Sequence, residues 1–111
     1  LSERKCANTN LNDRKAWVDA YWEKMDCQHK DADDAESFED LYLRVQAFHE
    51  KLKALAENYA EKNLAVFSHG QFLQLLMMQI QQPRPLSKEL MQQFRSDLVR
   101  QPIRNTEVFT Y

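Results

Sequence analysis

Glycine is almost missing from this chain. There is one in 111 residues, where average usage would give roughly 8. The single survivor, Gly70, therefore marks a position that does not tolerate a side chain easily. Cysteine is scarce too, with two residues, Cys6 and Cys27. They form no CxxC pair, so reduced thiols of a cytoplasmic protein are expected rather than a disulfide framework. Cys27 and His29 alone supply too few ligands for zinc. Charge of one sign is lacking as well: the formal net charge is −2, which leaves no basic face for nucleic acid. No apolar run reaches the ~18 residues of a membrane span. The longest candidate, Phe72 to Ile80, is interrupted by Gln74 and Gln79. The opening "LSERKCANTN" has no apolar core of a secretory signal, and it begins with leucine instead of methionine. A soluble, cytoplasmic protein without membrane contact is expected.

What is present fits one small domain. Hydrophobic residues make up 43% and charged residues 29%, ordinary values for a globular chain. From Asn12 or Asp13 a helix is expected, with Trp17, Tyr21 and Met25 on one face at i, i+4 and i+8. The acidic "DCQHKDADDA" reads as a loop without fixed structure. A long helix follows, with Ser37 as N-cap and Asp40 as its capping-box partner. Its core stripe is Leu41, Val45, Phe48, Leu52 and Leu55. "QFLQLLMMQI" is apolar on most sides, so it is expected to be a buried helix. Pro83 and Pro85 break the chain. Ser87 then caps a helix with Leu90, Met91, Phe94 and Leu98 as its apolar face, and Leu86 and Met91 are placed for a hydrophobic staple. Pro102 ends that helix.

Two segments read as strands. Leu64, Ala65, Val66 and Phe67 are continuously apolar, as in a parallel strand buried on both faces. Thr106 to Tyr111 is rich in β-branched and aromatic residues. Helices alternating with parallel strands imply an α/β fold. Two strands fall short of a mean sheet of about 5–6, so the expectation is a helix-rich part of a larger α/β domain, with an open sheet edge that would seek a partner in a second copy.

Ligands of open α/β sheets bind beyond the carboxyl ends of the strands. Ser68-His69-Gly70 lies at such an end, where strand would turn into helix. Glycine there allows a sharp bend and close approach of a ligand. The helix N-terminus offers unpaired N–H groups and a positive dipole end for an anion. A histidine beside it adds a donor for a phosphate oxygen.

"NLAVFSHGQFLQLLM" resembles the second-histidine motif of the histidine phosphatase superfamily, the phosphoglycerate mutase-like family. "AESFEDLYLRVQAFHEKL" resembles that family's preceding Gly-Glu-Ser helix, with Ala35 where glycine is usual. "PIRNTEVFTY" resembles its following strand. The resemblance spans Ala35 to Tyr111 and implies the C-terminal part of a three-layer α/β/α domain filling residues 1–111, with phosphoryl transfer through a phosphohistidine. It implies that His69 binds phosphate and stabilises its charge without attacking phosphorus. Ser68 and Gly70 would shape the turn, Gln71 would add a donor, and Asn105 would support the site. No metal or cofactor is expected.

The family's nucleophile motif, Arg-His-Gly, does not occur in the 111 residues, and its second arginine helix is not recognisable. Glu3 is the candidate proton donor nearest the right place, although the acid is more readily expected upstream of Leu1. His29 and His49 are expected to be solvated or partly buried. The chain thus reads as a truncated phosphomonoesterase, inactive alone, whose full-length form takes a small phosphorylated substrate. The acidic loop, with only Lys30 as a cation, favours a phosphatase over a mutase. The alternative is a phosphatase-like module kept for binding or assembly.

Overall fold

Three helix starts in this chain are written by side chains that accept from exposed backbone N–H groups. The structure, a computed structural model, describes residues 3–110. It contains five helices and no strand among the described residues: α1 Glu3–Cys6, α2 Leu11–Lys24, α3 Phe38–Asn58, α4 Gly70–Gln81 and α5 Lys88–Arg100. Asn10 caps α2 and forms a reciprocal capping box with Asp13, so this helix begins slightly before the expected Asn12. Ser37 caps α3: its Oγ accepts from the Asp40 N–H at 3.1 Å, and an Asp40 carboxylate oxygen accepts from the Ser37 N–H at 3.1 Å. Ser87 Oγ accepts from the Leu90 N–H at 3.1 Å and caps α5. Each bond satisfies a donor that the first helical turn leaves without a partner.

The core follows the expected stripes. Phe38, Leu41, Tyr42 and Val45 of α3 meet Leu75, Leu76 and Met78 of α4, which in turn meet Leu90, Met91 and Phe94 of α5. The α3 stripe is half-buried further along, at Phe48, Leu52 and Leu55. Helix α2 buries no residue completely but leans on the core through Tyr21 and Trp22 and through its C-cap residue Met25. A run of ring contacts carries that packing inward. Tyr21 meets Trp22 edge-on at 5.2 Å, Trp22 meets Phe94 at 5.8 Å, and Phe94 meets Phe38 at 5.5 Å. Leu86 packs against the same cluster that buries Met91.

The α/β expectation is overturned. Leu64 to Phe67, expected as a buried parallel strand, has no regular secondary structure, and Phe67 is 93% exposed. No backbone hydrogen bond joins Leu64–Ser68 to any other described segment. The second expected strand fares no better over its described part, residues 106–110. Thr106 has φ 68°, and the Glu107 N–H donates to the Arg104 carbonyl, so the chain turns there. Tyr111 lies outside the described residues. The reason is physical: a strand is stabilised only by a neighbouring ladder, and no backbone hydrogen bond joins these two segments. With no sheet among the described residues there is no sheet edge, and Leu64, Val66 and Phe67 of this run are exposed.

The acidic loop is also more ordered than expected. The His29 N–H donates to the Asp26 carbonyl, the Ala35 N–H to the Ala32 carbonyl, and the Glu39 N–H to the Cys27 carbonyl. Lys5 Nζ reaches Asp31 at 2.6 Å and ties the loop to α1. Ala35, at the position where the resembled motif has glycine, is buried.

Candidate functional site

Helix α4 begins where the apolar run ends. His69 is its N-cap, with extended backbone at φ −95° and ψ 153°. Its side chain makes no capping hydrogen bond. The Leu73 N–H returns to the His69 carbonyl at 3.0 Å. The N–H groups of Gly70, Gln71 and Phe72 find no partner among the described residues. The result is an exposed helix N-terminus with three unpaired donors and an uncommitted imidazole beside them, an arrangement suited to an anion.

The glycine needs a different explanation from a forced bend. Gly70 does not have a positive φ. A Cβ built on it would meet only the Ile103 carbonyl oxygen, at 3.9 Å, an ordinary contact. Neither backbone conformation nor crowding within this chain requires glycine there. What the missing side chain does is leave open space at the helix N-terminus.

Ser68, His69 and Gln71 line one cavity of about 300 Å³. Its other walls were not read from the sequence as part of a site. They are Glu36, Arg44, Phe48 and Phe72, with Leu41, Val66 and Phe67 completing it. Arg44 holds Glu36 in a bidentate pair: Nε donates to Oε2 at 2.6 Å and Nη2 donates to Oε1 at 2.9 Å. The hydrogen bonds from Arg44 to Glu36 push the guanidinium above its ordinary pKa, against a smaller opposing effect of burial. Arg44 also lies 5.2 Å over the Phe72 ring, and Phe72 meets Phe48 at 5.7 Å. Phe48 and Phe72 were legible only as core positions. Arg44 had no sequence signal, because Glu36 precedes the α3 cap and helical spacing does not reach it.

The remaining candidates are scattered. Asn105 sits in the exposed turn after α5 and does not line this cavity. The Glu3 side chain lies outside the described part of the structure. His29 and His49 are half-buried, with the His29 ring 5.5 Å from Tyr21. Among the described residues no cluster of three or more histidine, cysteine or carboxylate side chains could hold a metal ion. No described helix is long and apolar enough to cross a membrane.

Comparison with known proteins matches the sequence to a family. The family model described as "Histidine phosphatase superfamily (branch 1)" matches residues 3–99. That span covers α1 through nearly all of α5, together with the Ser68-His69-Gly70 turn. Neither the curated proteins nor the solved structures give a match. The chain belongs to the histidine phosphatase superfamily.

Proposed function

We propose that this chain binds the phosphoryl group of a phosphomonoester at the N-terminus of α4, with His69 as the second phosphate-binding histidine of a phosphatase. The observation that carries the reading is the His69 side chain, which does not cap its helix, beside the unpaired N–H groups of Gly70, Gln71 and Phe72. Together they offer a fan of donors to the oxygens that bear charge in phosphoryl transfer. Ser68 and Gln71 flank that fan from the same cavity, and Asn105 remains a more distant supporting candidate. The family match over residues 3–99 supports the phosphatase or mutase class of chemistry. The acidic segment before α3, whose only cation is Lys30, favours the phosphatase.

These 111 residues contain no Arg-His-Gly. Phosphohistidine formation needs an activated nucleophile, and His69 is assigned to binding. On this reading these residues hold a phosphoryl group without turning it over; the second reading is a phosphatase-like binding module. Titration with inorganic phosphate, followed by the backbone amide resonances of Gly70, Gln71 and Phe72, tests the site. Saturable shifts that vanish in His69→Ala are expected, and undiminished binding in that variant would remove His69 from the site. Incubation with an aryl phosphate should give no hydrolysis. Capture of phosphohistidine on His69 by mass spectrometry would overturn the binding-only role.

A further inference from the structure

We infer that the cavity beside His69 takes the alcohol part of the phosphomonoester, and that this alcohol carries an aromatic or similarly apolar ring. The inference rests on the assignment of His69 to phosphate. Its own support is the chemistry of the walls. The polar groups Ser68, His69 and Gln71 lie together in sequence at the start of α4, while Phe48, Phe67 and Phe72 supply ring surface. A ligand that matches both is polar at one end and apolar at the other.

Size and charge narrow the class. The cavity measures about 300 Å³, and a benzene-sized ring fits a dry cavity of about 150 Å³, so one ring enters with room for a substituent. The only opposite charges on the walls cancel, because both donors of Arg44 that face Glu36 are committed to its two carboxylate oxygens. A substrate with a second anionic group, a carboxylate or another phosphate, would have to share that guanidinium with Glu36. A ring would not. Phe48 and Phe72 pack against each other at 67° and both line the cavity, and a further ring packs favourably on such aromatic surface.

Calorimetric titration of the full chain with three probes sharing a phosphonate head decides the matter: methylphosphonate, phenylphosphonate and 3-phosphonopropionate. Phenylphosphonate should bind about tenfold more tightly than methylphosphonate, the scale on which a small apolar group is discriminated in an apolar pocket. The preference should shrink severalfold in Phe67→Ala. Phe67 is exposed, so that variant keeps its fold. Phe72→Leu, which removes the ring and keeps the bulk, should act in the same direction. Equal affinity for the phenyl and methyl probes, a preference unmoved by both variants, or tightest binding of 3-phosphonopropionate would each overturn the inference. If His69→Ala loses all three probes while no phenyl preference exists, the phosphate site stands and the ring inference falls. If none of the probes binds, or His69→Ala binds them as well as the parent chain, the phosphate site falls and the ring inference with it.

Discussion

Gln79 reads the backbone of Arg84 in both directions. Its Nε2 donates to the Arg84 carbonyl at 2.8 Å, and its Oε1 accepts from the Arg84 N–H at 3.3 Å. Tyr42 Oη donates to the same carbonyl at 2.9 Å, and Gln46 Nε2 donates to Tyr42 Oη at 2.7 Å. The proline-flanked loop after α4 is thereby stitched to α3. Buried polar atoms are costly when left alone, and Gln79 is 5% exposed. Gln79→Leu leaves the Arg84 N–H without its partner and is expected to cost about 1–3 kcal/mol, read as a lower urea midpoint at unchanged slope. Combined with Tyr42→Phe in a double-mutant cycle, it should show a coupling of about 0.5 kcal/mol or more. Strict additivity would mean that the two side chains act independently.

The capping box of α3 gives an acid signature. Asp40 is held below the ordinary carboxylate value of 3.8, first by the Ser37 N–H, then by the Ser37 hydroxyl, with Lys30 at 3.7 Å adding a smaller share. A depressed carboxylate stabilises the fold fully above its unfolded value. That contribution is lost as pH falls through the lower folded value, so the window lies below about pH 4. Asp40→Asn should lower stability in the neutral range, where that contribution is complete, change it least at the acid end, and so flatten the fall across the window. Ser37→Ala should lower stability by about 1 kcal/mol and weaken the same acid dependence. An acid profile identical in all three proteins would detach it from the cap.

What the sequence revealed divides along the range of the forces. Caps and amphipathic stripes are local: Ser37 with Asp40, Ser87, and the faces Leu41–Val45 and Leu90–Phe94 all lie where spacing predicts. Strand pairing is not local. Leu64 to Phe67 is as apolar as a buried strand, but a four-residue run says nothing about whether a neighbour exists to hydrogen-bond with it. The site was partly legible for the same reason. The break between the apolar run and α4 placed Ser68, His69 and Gln71 together, and they do share one cavity. Arg44 and Glu36 escaped notice because their pairing bridges the α3 cap, and Asn105 was linked to the site only through a strand that does not form.

Tyr21 supplies an alkaline counterpart. Burial among its neighbours pushes its hydroxyl from the ordinary 10.0 up to about 12, with the nearby Glu36 carboxylate adding to the rise and a backbone hydrogen bond at Phe38 opposing it. A raised tyrosine pKa means that the unfolded chain loses this proton first. The stabilisation is complete below pH 10 and drains away as pH rises toward 12. In the parent chain stability should therefore fall between those values, and Tyr21→Phe should reduce the slope. A phenolate absorbance titration should lose a late-titrating component in the same variant. If the variant titrates and unfolds like its parent, Tyr21 is not the group responsible.

The absence of a strand at residues 64–67 makes the last prediction. Phe67 projects into solvent, whereas Leu75 is wholly buried between α3 and α5. Phe67→Glu should change stability by no more than about 0.5 kcal/mol, while Leu75→Ala should cost about 2–5 kcal/mol through lost burial and a cavity. Hydrogen exchange probes the same contrast through the backbone. The amides of residues 64–68 have no hydrogen-bond partners among the described residues, so they should exchange at nearly the rate of an unstructured peptide. Amides in the middle of α4, bonded within the helix and packed on the core, should be protected up to the stability of the whole domain. Strong protection at Val66 and Phe67, or a cost for Phe67→Glu approaching that of Leu75→Ala, would show that this run is paired in solution.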